Sequence, residues 1–489
     1  MIKIIYGDVA RGAAEGAAYT DTGKQTYADL LLSDGANPRL IATGEVGRWK
    51  LDGSVDLLGA VSSQYGYVST AISGADGTYT GEVGINIALD GNYASTGLTI
   101  TFDTLEDVTY SFRVEWYNGE TKVAEGTFSG KGETTVEQTV PLYNAVRIRF
   151  LSSDKPHRFA RLQKIVFGVG RQFTPSDFDT ISLTQEVSPI SDDLPIDTSK
   201  FVLRPRKAIR YLFQTRQTFK IYRDADLIAA HYVKSAQITA ENRYSVECQS
   251  LVGLLEEQSY AGLYASSTPA LTIAQSIIGE LPFEMDTALQ TVPLSGYIPE
   301  GTRREALHQL LFALGAICST ADNEKIRIFA PPETAVVLSP DDAYIGAAVE
   351  QDAPVTGLAL TYHTLGTVKS GNASEIEVGG VKYYDTTGTV TVTNPAVLSD
   401  TPENIVEITD ATLVNQTRAN ALKDRLAAYY FGGTTVKQKR IVRAESLGDK
   451  VTVTDVLGAP VTGMLISRET VVTNLYASTC KIRGSYASD

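Results

Sequence analysis

Thr109-Tyr110-Ser111-Phe112-Arg113-Val114-Glu115-Trp116-Tyr117, followed at once by Asn118-Gly119, carries the clearest architectural signal in the chain. Tyr110, Phe112, Val114 and Trp116 fall on every second position, the pattern of a strand with one face on a core and the other in water. Asn-Gly is the dipeptide best suited to a tight hairpin turn, so a second strand is expected to fold back on the first. Outward from this run, Leu98-Thr99-Ile100-Thr101-Phe102 and Val146-Arg147-Ile148-Arg149-Phe150 repeat the alternation, with Gly, Asn and Asp between the runs. Residues 1 to about 170 carry almost no helical period and read as a β-sandwich of short strands and turns. Gly168-Val169-Gly170-Arg171-Gln172-Phe173-Thr174-Pro175-Ser176-Asp177 reads as the connector that ends it.

Strands continue beyond that point, in Phe219-Lys220-Ile221-Tyr222-Arg223-Asp224 and Tyr244-Ser245-Val246-Glu247-Cys248, up to an apolar turn at Leu251-Val252-Gly253-Leu254-Leu255. Between about 268 and 332 the period changes to nearly four. Thr302-Arg303-Arg304-Glu305 is a capping box, in which the threonine hydroxyl and the glutamate carboxylate satisfy orphan amides at a helix start. Ala306, Leu307, Leu310, Leu311 and Leu314 then form one apolar helical face, and Gly315 is a plausible stop. Strand patterns return after residue 333, interrupted by a helix near 412 to 430 with Ala419, Leu422, Leu426 and Tyr429 on one side.

The 489 residues are enough for about three or four domains. With 57 acids against 43 bases the net charge is −14, which argues against a nucleic-acid binder, because phosphate backbones are held by clustered cations. The one basic run, Lys437-Gln438-Lys439-Arg440, reads as a solvated strand end. A 43% share of hydrophobic and 20% of charged residues excludes wholesale disorder. No apolar run is long enough to cross a bilayer and the N-terminus lacks a signal-peptide layout, so the chain reads as a soluble protein made in the cytoplasm. Cys248, Cys318 and Cys480 show no CxxC spacing and read as buried free thiols. His157, His231, His308 and His363 sit in no metal spacing, and His308 reads as a surface residue of its helix.

Motifs for chemistry are missing where they would be expected. There is no G-x-S-x-G elbow and no phosphate loop, and Gly168-Val169-Gly170 lacks the rest of a dinucleotide fingerprint. The adjacent acids Asp192-Asp193, Glu256-Glu257 and Asp341-Asp342 read as solvated loops. No catalytic residue, cofactor or metal ligand is assigned. The candidate binding residues are Trp49, Tyr65, Tyr67, Tyr79 and Tyr93, whose rings could make a stacking platform for a sugar; the competing expectation is that they plug the sandwich core.

Stretches in three regions, the sandwich, the centre and the end of the chain, resemble the tail-tip or baseplate hub proteins of tailed bacteriophages and of prophages in Gram-positive gut bacteria. Arg48-Trp49-Lys50-Leu51-Asp52-Gly53-Ser54 and Ala94-Ser95-Thr96-Gly97-Leu98-Thr99-Ile100-Thr101-Phe102 look like the galactose-binding-like jelly roll often fused ahead of such hubs. Thr184-Gln185-Glu186-Val187-Ser188-Pro189-Ile190, leading into a barrel that ends at Glu247-Cys248-Gln249-Ser250, and then Gly296-Tyr297-Ile298-Pro299-Glu300-Gly301-Thr302-Arg303-Arg304-Glu305-Ala306-Leu307 follow in the style of these hubs. Leu447-Gly448-Asp449-Lys450-Val451-Thr452-Val453 resembles the "LGD-x-V-x-V" entry to a second barrel.

The resemblance implies a mainly β chain: a jelly-roll β-sandwich over 1–172, a first hub β-barrel over 173–262, a small α+β domain over 263–334, and a second hub β-barrel over 335–489 that carries the helix near 412–430 and an inserted β region. It also implies a homotrimeric structural protein of the virion tail, assembled in the host bacterial cytoplasm. Such a hub closes the tail tube and meets distal tail or tube proteins, the tape measure protein and other tail-tip proteins. No enzymatic activity is expected, and a lytic one does not come with the resemblance, since the chain stops at Asp489 where many relatives continue into a peptidoglycan-cleaving domain; the charge already argues against specific nucleic-acid binding. The alternative is a glycan-binding host-adhesion protein of the tail, with a host surface glycan as partner. In a ring of three copies the acids are expected in excess on the channel side, where they would repel DNA.

Overall fold

The computed structural model describes residues 2–10, 12–22, 67–102, 108–206, 212–369, 371–398, 400–472 and 477–486. The chain is mainly β, with 55% of residues in strands against 12% in helices. It divides into two compact units, one of Ile5–Gln172 with Lys207–Gln217, the other of Met1–Ile4, Phe173–Arg206 and Thr218–Asp489.

In the first unit seven strands form an antiparallel sheet in the order Tyr67–Ile72, Phe159–Val166, Gly84–Phe102, Glu133–Ser153, Tyr110–Asn118, Thr121–Gly130, with Ala18–Thr22 beside the early half of Gly84–Phe102. Two of these strands are very long. The first half of Gly84–Phe102 pairs with the end of Glu133–Ser153 and its second half with the beginning, through register shifts between Ala88 and Gly97. Shifts of this kind bend a strand, and both halves bury their inward residues in one core around Phe102, Tyr110, Phe112, Trp116 and Phe150. Trp116, the inward end of the opening run, is fully buried. The hairpin forms as expected, with Asn118 paired to Thr121 and Gly119-Glu120 as the turn.

Gly97 is the residue that makes the bend possible. Its φ is +154°, and a Cβ there would lie 1.9 Å from the carbonyl oxygen of Val136 on the facing strand. The connector expected at 168–177 is a strand instead, Gly168–Phe173, because Val169, Arg171 and Phe173 alternate inward behind the glycines that disguise them.

The second unit is built on one large sheet. Its strands run Ala348–Gln351, Thr434–Arg440, Ser478–Tyr486, Pro460–Val472, Phe178–Glu186, Thr198–Leu203, Arg243–Gln249, Asp226–Ala240, Thr218–Arg223, with Lys450–Thr454 also on Pro460–Val472. The strand groups read from sequence as two barrels are therefore contiguous. They meet where Ile181 to Glu186 run antiparallel to Val472 to Ser467. A second core lies around the helix Arg303–Leu314, whose Leu307, Leu310, Leu311 and Leu314 are buried among Ile273, Ile277, Leu358, Leu360, Leu422 and Leu426. The capping box is present: the Thr302 hydroxyl accepts from the Glu305 amide, and the Glu305 carboxylate accepts from the Thr302 amide. The helix expected near 412–430 spans Gln416–Phe431. It packs on an inserted four-stranded sheet in the order Ser374–Val378, Val381–Thr393, Gly357–Gly366, Ile405–Ile408. Leu251–Glu256, expected as a turn, is a short helix with five buried residues in succession, so no exposed face marks its period.

Gly97→Ala is expected to destabilise the first unit by about 2–4 kcal/mol, because both the backbone angle and the facing carbonyl exclude a side chain. A denaturation midpoint equal to that of the unsubstituted chain would contradict this origin of the bend.

Candidate functional site

The sugar-platform candidates are placed as follows. Trp49 and Tyr65 lie outside the described residues. Tyr67 and Tyr79 turn inward, where Tyr67 stacks on Phe150 with ring centroids 6.0 Å apart and Tyr79 meets the same ring edge-on at 6.3 Å. Tyr93 is half-buried near the bend of Gly84–Phe102, and its hydroxyl donates to Asp90 Oδ1 at 2.6 Å. The structure therefore does not gather these three rings into one exposed face. Tyr67 does line a cavity of about 400 Å³ together with Tyr19, Ile85, Leu162, Gln163, Lys164 and Ile165. Tyr19, half exposed, sits on a different strand from Tyr67, and only the paired backbone brings them together; nothing in the sequence around Ala17-Ala18-Tyr19-Thr20 marks it.

Polar groups buried in each unit serve the strands. In the first unit Asp8 Oδ1 accepts from Gln217 Nε2 at 3.2 Å, Asp8 Oδ2 accepts from the Thr96 hydroxyl, and Arg171 Nε lies 3.8 Å away. Burial raises the Asp8 carboxyl to about 6, with Arg171 and the hydrogen bonds opposing it. Arg171 also donates to Thr96 Oγ1 at 2.9 Å and to Glu137 at 3.3 Å.

In the second unit, Arg468 and Gln185 are cross-strand partners at the junction of the two strand groups. Arg468 donates to Gln185 Oε1 through Nε at 3.0 Å and Nη2 at 2.8 Å, and through Nη2 to Asp322 at 2.7 Å. Gln185 Nε2 in turn donates to the Ile228 carbonyl at 3.3 Å. Asp197, buried beside them, accepts from the Thr320 hydroxyl at 2.6 Å and the Glu186 amide at 2.9 Å, and burial raises its carboxyl to about 6. Such an arrangement can hold strands in register but offers no open position to a substrate.

Two further pairs have the residue types of catalysis. Ser199 Oγ lies 2.8 Å from His231 Nδ1, but the imidazole is fully buried and burial pushes it down to about 3, so it stays neutral. Cys248, in register with Ser199 on the neighbouring strand, is a buried thiol raised by the same desolvation. His363 Nδ1 and Asp385 Oδ2 lie 2.7 Å apart on adjacent strands, both buried, with the Tyr297 ring edge-on to the imidazole. Both pairs are buried between the strands that carry them. All three cysteines are free and buried. Among the described residues no group of three or more His, Cys, Asp or Glu could hold a metal ion.

The basic run departs from its expectation. It lies in the strand Thr434–Arg440, where Gln438 and Arg440 turn inward and Arg440 sits 3.5 Å from the buried Glu445 carboxylate, so only Lys437 and Lys439 face outward. Leu447–Val453 does launch a strand: Leu447 is buried, the Asp449 carboxylate accepts from the Ser446 amide at 2.8 Å, and Lys450–Thr454 follows. Gly448 has φ +92°, and a Cβ there would meet the Phe329 ring at 2.7 Å, so the glycine of this stretch is required by space and by backbone.

No protein-family model and no curated protein matches the chain. Among solved structures it is similar to the tail protein from Neisseria meningitidis MC58, at 13% identity over 65% of this chain and 94% of that one, with a TM-score of 0.46. It is likewise similar to the 43 kDa tail protein of prophage MuSo2 from Shewanella oneidensis, at 13% identity over 64% of this chain and 95% of the other, TM-score 0.45. A third is prophage tail protein gp18 from Listeria monocytogenes EGD-e, at 12% identity over 65% and 92%, TM-score 0.43. These scores fall below the level at which a shared fold follows, so the functional reading below stands on the residues of this chain.

Asp197 sets a pH dependence whose sign follows from its raised carboxyl. Between the ordinary value of 3.8 and about 6 the folded state holds a proton that the unfolded chain has released. The stabilisation is full below 3.8 and is lost as pH rises through about 6. Acidifying from about pH 7 to pH 5 is expected to stabilise the wild type by about 1 kcal/mol more than Asp197→Asn, which can keep both hydrogen bonds without titrating. Denaturant midpoints at the two pH values check this, and equal shifts in the two proteins would contradict it.

Proposed function

We propose that this chain is a structural protein of a bacteriophage tail tip or baseplate. In this reading it is a hub that assembles as a homotrimer, closes the tail tube, and meets tube, tape measure and other tip proteins within the virion. The observation that carries the reading is the large sheet of the second unit, in which residues 178–249 and 434–486 form one body entered at Leu447–Val453. A protein that transmits load between a tube and a tip needs strand groups that cannot separate. The Arg468–Gln185 junction supplies that, and the buried titratable groups are engaged in holding strands. Broad faces then remain for neighbours, and a cyclic trimer would use two different patches on each copy.

Native mass spectrometry of the full chain, together with electron microscopy of tail particles, tests this. A trimer found at the distal end of the tail is expected; a stable monomer absent from such particles would sink the proposal.

The cavity of about 400 Å³ on the sandwich favours a second reading, in which this unit binds a host surface glycan. An aromatic ring, a buried apolar floor and two polar side chains, Gln163 and Lys164, are the mixture that holds a sugar ring. Tyr19→Ala is expected to weaken glycan binding by the full chain about tenfold. A glycan array on which the wild type captures no sugar would leave only a docking role for this unit.

A further inference from the structure

The inserted four-stranded sheet of the second unit presents a surface that the tail reading does not use. Its edge strand Ile405–Ile408 runs parallel to Gly357–Gly366, and among the described residues no strand pairs with its other edge. Val406 and Ile408 pack toward the helical core, so Ile405 and Glu407 point to the opposite face. There the small residues Gly357 and Ala359 leave a depression between Thr391 and Thr393 on one side and Ile405 and Glu407 on the other. This groove has a volume of about 390 Å³ and is lined as well by Val397, Leu398 and Glu403. Leu398 is 76% exposed and Ile405 45%, so two aliphatic side chains that line the groove reach water.

A second, smaller cavity of about 100 Å³ shares Glu407 with the groove, with Phe312, Ile408 and Ala411 as apolar wall and Asp192, Asp410, Glu407, His308 and Gln309 as polar lining. Glu403, Glu407 and Asp410 make no salt bridge or side-chain hydrogen bond among the described residues. Its volume is that of one long side chain, its wall suits a methylene stem, and its carboxylates suit a cationic head.

We propose that this face docks an extended, basic segment of a partner protein. An arginine or lysine of that segment enters the small cavity, with its charge against Glu407, Asp410 and Asp192. A β-branched neighbour covers Leu398 and Ile405 in the groove, and the segment's backbone pairs with the open edge of Ile405–Ile408. Charge complementarity selects this occupant over a second copy of the chain, whose net charge of −14 is of the same sign as the site. Phosphate-bearing ligands are disfavoured for the same reason. The inference holds whether or not the protein belongs to a tail.

The test uses the full chain and two short, end-capped synthetic peptides, one alternating arginine with valine and one alternating glutamate with valine, with binding followed by fluorescence anisotropy at two salt concentrations. The arginine peptide is expected to bind in a salt-sensitive way and the glutamate peptide not to bind. Glu407→Lys and Leu398→Asp should each weaken binding by about tenfold or more, whereas Glu377→Lys, an exposed charge reversal on the opposite edge strand, should leave it within about twofold. Circular dichroism melts confirm that the variants are folded, and a second variant, Glu403→Gln, reports on the site with the smallest change of structure. Failure of the arginine peptide to bind, or an equal loss in Glu377→Lys, overturns the proposal. So does a salt-independent self-association that Glu407→Lys abolishes, which would make a second copy the occupant.

Discussion

The architecture of the larger unit depends on one antiparallel pairing, that of Ile181–Glu186 with Ser467–Val472. The two segments are far apart in sequence, and closing so long a loop is paid for only when the contacts on both sides are already specific. Specificity comes from Arg468. Its guanidinium is almost fully buried, and an uncompensated charge there would be far costlier than the hydrogen bonds to Gln185 and Asp322 are worth in isolation. A slip by one residue would turn every side chain of the pair to the wrong face and take the arginine away from Gln185 and Asp322. The same residue lies close enough to bias the Asp197 carboxylate, so the junction couples register to protonation.

That junction explains why polar chemistry in the core is not evidence of catalysis here. Asp8 with Arg171, Ser199 with His231, and His363 with Asp385 each sit between neighbouring strands and are enclosed. Each ties one strand to another through a buried polar contact, which makes each a constraint on how strands may pair. Two surfaces open to solvent stand apart from these pairs, the sandwich cavity at Tyr19 and the groove at Glu407.

Local signals in the sequence were legible and long-range ones were not. The Tyr110–Trp116 alternation, the hairpin after it, and the Thr302–Glu305 capping box depend only on residues a few positions apart, and each is realised. The contiguity of the two strand groups depends on which distant strand lies beside Phe178–Glu186, which no alternation encodes. Glycines hid the inward face of Gly168–Phe173, and an unbroken apolar run hid the helix Leu251–Glu256. Arg440 reads as solvated in sequence because arginines mostly are; its buried partner Glu445 stands five residues on. Tyr67 and Tyr79 were legible as aromatic but not as inward, since a ring on a sandwich strand serves a core and a ligand equally well. Tyr19 and Glu407 acquire meaning only from the cavities that pairing creates around them.

If one sheet unites residues 178–249 with 434–486, the two groups must open together. Native-state hydrogen exchange on the full chain measures this directly, comparing the strand amides of 181–186 and 198–203 with those of 461–470 and 478–486. A shared opening free energy for both sets, lowered equally by Arg468→Met, is the expected result. Independent opening of the 434–486 strands, with the 178–249 strands still protected, would contradict the claim that a single pairing holds the body together.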